Sequence, residues 1–308
     1  MRPFTTVMFI LLTMKSFYGN CANVDGMFTG HINHKIKLFV YDGLERVEVA
    51  SATTDRHGRF HLNCPNGYLG MGYLEIPDEG RLELVLNDSD IRIAGRNILE
   101  IDRIKFRNSQ ENRLYYQFQA DHKRRDDSLL ELHQLLSQSP KNENHNGGTD
   151  KSSISDQIRK SVREELDFIT GLDKATYISW YLPSIRFIHD MSVQSRYNPT
   201  FIPFFIEDFR KLDLADKRLI HSGIYCDLIE GHFTLLENTN NSRDEVYSAI
   251  YQSINYIINS LERKDEKLLA QIDIFLYNRL KENGFGELSR YLTMAVLAKG
   301  NIKTGRHN

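Results

Sequence analysis

The chain carries three cysteines, Cys21, Cys64 and Cys226, and their spacing limits the thiol chemistry open to it. Disulfide exchange needs one thiolate to attack and a neighbouring thiol to resolve the mixed disulfide, the service a C-x-x-C pair provides. None of the three lies in such a pair. In an oxidising compartment a Cys64–Cys226 bridge becomes available, but two isolated, partly buried thiols are the simpler expectation. Among the histidines, His57 and His61 are four apart, the spacing at which two metal ligands share a helix face. Here they bracket Gly58 at the start of a strand, where His61 alternates with Phe60 and Leu62 and faces water. His31 and His34 form a similar loose pair. His189 with Asp190 follows an apolar run and reads as a structural pair at a helix end. None of these pairs has an evident third ligand. The chain also lacks G-x-S-x-G, a phosphate loop, H-E-x-x-H and a dinucleotide fingerprint. Spacing therefore predicts no catalytic residue, no cofactor and no metal site.

One local concentration of side chains has recognition potential. Tyr177, Trp180 and Tyr181 are followed by Phe187, Tyr197, Phe201, Phe204 and Phe205. Such a cluster lines a groove for a peptide or glycan, or else fills the space between helices, with Pro183, Pro199 and Pro203 at turns. Packing is the main expectation, and a groove formed by Tyr177, Trp180 and Tyr181 is the functional alternative.

The elements that would position these residues come in two blocks. Between residues 24 and 107 the apolar period is two. Ile36, Leu38 and Val40 alternate with Lys35, Lys37 and Phe39, and Leu82, Leu84 and Leu86 alternate with Arg81, Glu83 and Val85. Turn residues at Asp42-Gly43, Asp55–Gly58, Asn66-Gly67 and Pro77–Gly80 break this block into about eight short strands. That pattern predicts a small antiparallel β-sandwich with one wet face. At Asn108 the period becomes helical. Asn108 and Glu111 have the spacing of a capping box, opening a connecting helix over 108–137. Residues 138–155 are polar, with Pro140, Asn146, Gly147 and Gly148, and read as a loop. From 156 to 300 the period is helical throughout. Ile158, Val162, Leu166 and Ile169 make one stripe, stopped by Gly171. A capping box at Ser242 and Glu245 starts another helix, Asp265 starts a third that Gly284 ends, and Gly300 closes the last, leaving 301–308 as a tail. The expected fold class is α+β: a β-sandwich followed by an all-α domain.

Composition excludes several classes. Of 308 residues, 41% are apolar and 26% charged, which is globular rather than disordered. A net charge of −2 provides no general attraction for nucleic acid. The basic run Lys123-Arg124-Arg125 is answered at once by Asp126 and Asp127 and reads as a solvated helix face. Residues 1–22 read as a secretory signal: Arg2, an apolar run from Phe4 to Met14, then small residues at Gly19 and Ala22. The apolar run is too short to span a bilayer, so no transmembrane helix is expected in the mature chain. Cys21 keeps lipoprotein anchoring open as the lesser alternative.

Two stretches carry a family resemblance. Asp55, Gly58 and Phe60 form a D-x-x-G-x-F turn, and Ile104, Phe106, Ser109, Glu111 and Asn112 form an I-x-F-x-x-S-x-E-N helix start. Further on, Phe209, Leu212, Asp213, Leu214, Ala215, Asp216, Arg218, Leu219 and Ile220 form an aromatic- and acid-bearing segment. Together, over roughly Met27–Lys299, these resemble the non-catalytic region that precedes the thioredoxin domain of Gram-negative periplasmic TlpA/AhpC-TSA-like thiol-disulfide oxidoreductases. The resemblance implies an exported periplasmic or envelope protein. In that family catalysis belongs to a downstream C-x-x-C domain, absent from this sequence. The implied function is a non-catalytic accessory or recognition module whose partner is a thioredoxin-like redox domain or an envelope protein. A stand-alone envelope protein that binds a peptide or glycan is the alternative.

Overall fold

The computed structural model describes residues 22–138, 151–197, 199–239, 241–262 and 264–304. The expected signal segment, except Ala22, the Cys21 position and most of the expected loop lie outside the described residues. The α+β class is as expected. Eight strands, β1 (Asn23–Phe28), β2 (Lys35–Asp42), β3 (Glu45–Thr53), β4 (Arg59–Asn63), β5 (Gly70–Ile76), β6 (Gly80–Leu86), β7 (Ile91–Gly95) and β8 (Lys105–Phe106), precede the helices. The helices are α1 (Gln110–Gln138), α2 (Lys151–Thr170), α3 (Ile178–Tyr197), α4 (Ile202–Phe209), α5 (Lys217–Ile220), α6 (Tyr225–Glu237), α7 (Arg243–Leu261), α8 (Glu266–Glu282) and α9 (Gly286–Thr304).

The strands form two four-stranded sheets, ordered β4-β1-β7-β8 and β3-β2-β5-β6. Alternation puts Ile36, Leu38, Leu74, Leu82, Leu84 and Phe60 into the sandwich interior with Val24, Phe28 and Ile93. Two features depart from a simple antiparallel sandwich. First, β1 and β7 pair in parallel, Val24 opposite Ile91, because the chain, after crossing between the sheets at β4 and completing the second with β5 and β6, re-enters the first in the direction of β1. Second, β5 is buried along nearly its whole length. Helices cover the outer face of its sheet, so the expected wet face is dry where Met71 and Val85 enter the helical core beside Tyr115 and Phe118. The Asp55–Gly58 turn carries the chain from β3 in one sheet to β4 in the other. Its geometry follows from its residues: Asp55 Oδ1 accepts from the amides of His57 and Arg59 at 2.7 and 2.8 Å, and Gly58 takes φ +75°, with the Phe28 carbonyl where a Cβ would sit.

Several helix boundaries differ from those expected. The α2 helix starts at Lys151, inside the expected loop, and α9 continues through Gly300 to Thr304. On α2 the buried positions are Ile154, Glu165 and Ile169, whereas Leu166 is exposed. Ile169 is buried as expected and Ile158 and Val162 are half-buried, so the stripe departs at one position, where Glu165 turns inward to its partners in place of Leu166. The Ser242–Glu245 capping box, the Asp265 cap on Leu268 N and the left-handed Gly284 after α8 are all present. Among the described residues no helix is long and apolar enough to cross a membrane.

The helical domain is joined to the sandwich by backbone. The carbonyls of Ile220 and His221, at the end of α5, accept from Gly43 N (2.9 Å) and Met71 N (2.8 Å). The His221 ring stacks on Tyr68 with centroids 4.6 Å apart. The approach is so close that a Cβ on Gly70 would lie 2.5 Å from His221.

Glu83 lies under this junction, where burial pushes its carboxyl up to about 7 despite the Tyr41 hydroxyl and the charges of Arg46 and Arg81. A carboxyl whose folded pKa exceeds its ordinary value of 4.5 holds its proton longer in the folded state. Stability attributable to it is then present at low pH and is lost as pH rises from about 4.5 through about 7. Urea midpoints of wild type and Glu83→Gln should therefore diverge across this window, with the variant relatively more stable at pH 8; a constant difference between pH 5 and 8 would contradict it.

Candidate functional site

The tyrosines and the tryptophan expected to act together are divided between core and groove. Tyr177 and Tyr181 are buried, at 3% and 5% exposure, and stack with centroids 5.6 Å apart. Their ionisation is pushed far up by burial, and the Tyr177 hydroxyl donates to the Arg218 carbonyl at 3.2 Å. Both pack the core. Trp180 is half-buried and lines a cavity of about 380 Å³ between α3, α6 and the Phe209–Ile220 segment. Pro183, Phe187 and Ile188 extend the Trp180 wall, Leu212 and Leu219 face it, and Ile224 and Leu228 close the floor.

Polar groups at the rim are already engaged. Asp213 accepts from Lys264 Nζ at 3.0 Å and from Ala215 N, which hold it below the usual carboxylate range. Burial works against the charge of Asp216, but the Arg218 guanidinium and amide outweigh it and keep that carboxyl low. Arg218 itself covers one face of Trp180, 5.1 Å from the ring centroid. The Ser179 hydroxyl donates to the Thr176 carbonyl just before α3, and the Ser184 hydroxyl to the Trp180 carbonyl within it. Pro183, inside α3, has no N–H to give the Ser179 carbonyl at the usual α-helical position, and both residues line the cavity. The site is an apolar slot whose rim charges are already paired.

No family model, no curated protein and no solved structure matches the chain.

The expected interdomain motif is present, but its parts act differently. Ser109, not Asn108, caps α1: its Oγ accepts from Asn112 N at 3.2 Å and from Asn112 Nδ2 at 2.8 Å. Asn112, fully buried, accepts from Val85 N (2.9 Å) and donates to Val85 O (2.8 Å). Its amide thus pairs the outer edge of β6 as a neighbouring strand would. Glu111 does not return to the cap. Its carboxylate accepts from Asn87 Nδ2 at 2.9 Å and from Ile178 N at 3.1 Å, tying the end of the sheet to the start of α3. Asn108 is exposed.

The histidines sort by partner. His61 is exposed and bonded to Asp25 at 2.7 Å, and His57 lies against Arg56. His31 and His34 converge on Glu79, at 2.5 and 2.9 Å, a third group that sequence spacing did not reveal. His31 Nε2 accepts from Ile98 N, so its proton sits on Nδ1, facing Glu79, and the ring has no lone pair to offer a metal there. His232 is buried on Phe209, bonded to Ser253, with its basicity pushed down by burial to about 3.

A second cluster joins three helices. His122 and Asp126 of α1 face His189 of α3 and Glu165 of α2. The hydrogen bond that His122 donates to Glu165 raises the pKa of His122; burial works against the charge of Glu165, but that bond together with the charges of His122, Arg186 and Arg125 keeps its carboxyl low. The basic run is therefore only partly a solvated face: Arg124 is exposed, whereas Arg125 turns inward to Glu165 at 3.4 Å. His189 is tied to this cluster, not merely to Asp190, which pairs with Arg186. Sequence reasoning missed His122, Asp126 and Glu165. The available signals were the i, i+4 spacing of the first two and a carboxylate at an apolar-stripe position. Cys64 lies in the sandwich core and Cys226 is half-buried on α6, and they are not joined in a disulfide.

Proposed function

We propose that this chain is an exported, non-catalytic recognition module of the kind that precedes the redox domain in thiol-disulfide oxidoreductases, and that its Trp180 slot takes an apolar segment of a partner polypeptide. The observation that carries this reading is the slot itself: an apolar cavity of about 380 Å³ lined by Trp180, Pro183, Phe187, Leu212, Leu219 and Leu228. Apolar lining of this kind gives affinity for apolar side chains of a partner segment. Supporting it, the segment that carries the family resemblance also supplies Leu212, Asp213, Asp216 and Leu219 to the slot. A sandwich followed by helices, and cysteines far apart in sequence, are also what a module without its own redox pair would have. The glycan alternative is weaker, because a sugar stacks on an open aromatic face and Arg218 already covers one face of Trp180.

Trp180 is the only tryptophan in the chain, so its emission reports directly on the slot. Titration with an extended leucine- and phenylalanine-rich hexapeptide should give a saturable blue shift, and a linear hexasaccharide should give none. Phe187→Ala should weaken peptide binding about tenfold, equivalent to ~1.4 kcal/mol. Saturable binding of the sugar with no response to the peptide would reverse the reading in favour of a glycan-binding protein.

A further inference from the structure

The cluster at the junction of α1, α2 and α3 has the geometry of a metal centre. His122 Nε2 and His189 Nε2 lie 3.4 and 3.3 Å from the same oxygen, Asp126 Oδ2. The three donor atoms fall within 4.8 Å of one another. Charge-assisted hydrogen bonds between such groups close to about 2.7–2.9 Å, so these separations are long for direct pairing. They are the right length for something else. Ligands bound at about 2.0–2.1 Å around a tetrahedral ion stand roughly 3.3–3.4 Å apart, the edge of that tetrahedron.

The proton positions agree. His122 Nδ1 lies 3.1 Å from Glu165 Oε1 and donates to it, which in the neutral ring leaves the Nε2 lone pair pointing at Asp126 and His189. A carboxylate on the far nitrogen of a ligating histidine fixes its tautomer and orientation and raises its basicity, the usual arrangement behind metal-bound imidazole. Glu165 is buried, at 8% exposure, and Arg125 steadies its other oxygen at 3.4 Å. The ring is held further by stacking on Phe118, with centroids 5.3 Å apart. His189 stands nearly perpendicular to His122, at 81° and 5.1 Å, so the two rings can aim at one point without clashing. On the outer side Asp126 and His189 are 34% and 37% exposed, which leaves a way in for an ion and a position for water. The His31, His34 and Glu79 group offers no such set, because the Ile98 amide occupies the His31 lone pair.

We infer that His122, Asp126 and His189 form a three-ligand site for a divalent cation of the zinc class, with Glu165 as the positioning residue behind His122 and water in the fourth place. Imidazole and carboxylate donors in a small tetrahedral set select zinc and cobalt over calcium and magnesium, which need more oxygen ligands. The inference is independent of the slot, which lies on other residues.

The test uses the full chain, stripped with EDTA and dialysed. Titration with Co²⁺ should load one ion per chain with visible absorption of four-coordinate intensity, bleached by one equivalent of Zn²⁺. Zinc should raise the melting temperature of wild type. His189→Gln and Asp126→Asn, both at half-exposed positions, should keep the circular dichroism of wild type and lose both the cobalt spectrum and the zinc-induced shift. Glu165→Gln should keep the stoichiometry but weaken binding ~10- to 100-fold, an effect that a purely structural role for Glu165 would not produce. His34→Gln should bind as wild type does. No uptake by folded wild-type protein, or uptake that survives in His189→Gln and Asp126→Asn, would overturn the assignment.

Discussion

Asn112→Ala should lower the unfolding free energy by roughly 3 kcal/mol, the sum of two buried backbone groups left without partners at about 1–3 kcal/mol each. The groups are the N–H and C=O of Val85, on the edge of β6 facing away from β5. Val85 is fully buried, so water cannot replace the lost amide, and the same truncation removes the Asn112 bond to the Ser109 cap. Asn112→Asp should not rescue: its second oxygen would face the Val85 carbonyl and bury a charge. Asn108→Ala, at an exposed position, should fall within about 0.5 kcal/mol of wild type. Urea denaturation measures all three, and hydrogen exchange at the Val85 amide locates the effect. An Asn112→Ala midpoint matching that of Asn108→Ala would show that the β6 edge does not depend on this side chain.

The second large effect is expected at Arg279, which joins α8 to α6. Its guanidinium donates to Glu230 at 2.6 Å, to both oxygens of Glu237 at 2.5 and 3.2 Å, and to Thr234 at 3.2 Å. These partners recur along one face of α6, and the guanidinium also lies 5.5 Å from the Phe233 ring centroid. Arg279 is 7% exposed, so its charge tolerates burial only because the two carboxylates answer it. Removing one partner of a buried ion pair costs about 3–5 kcal/mol. Glu230, half-exposed, regains water when the arginine is lost, so Arg279→Ala should sit near the low end, at about 3 kcal/mol. Arg279→Lys should recover only part of this, because one ammonium cannot span both carboxylates. Thermal melts resolve the order wild type, Arg279→Lys, Arg279→Ala. Equal melting of Arg279→Lys and wild type would mean that charge alone, without the bidentate geometry, joins the helices.

The reach of the sequence depended on how local each interaction is. The Ser242–Glu245 box, the Asp265 cap and the Gly284 stop are formed by residues within four positions of one another, so their types and spacing determine them. Strand alternation likewise follows from a two-residue period, and with it the α+β order of sandwich and helices. What the sequence left open was decided by groups far apart in the chain. Asn108 and Ser109 can both cap a helix; Ser109 does so because Asn112, three residues on, must reach Val85. Glu111 has capping-box spacing, yet Asn87 and Ile178 N lie where its carboxylate is better satisfied. The helical period cannot say which of Tyr177, Trp180 and Tyr181 meets water; the position of α6 and the Phe209–Ile220 segment does. The outer face of β5 is dry because α1 and the turn after α5 cover it. His122, Asp126, Glu165 and His189 come from three helices and share no motif. Their convergence exists only once α1, α2 and α3 pack, because a buried carboxylate must find its partners wherever the fold brings them.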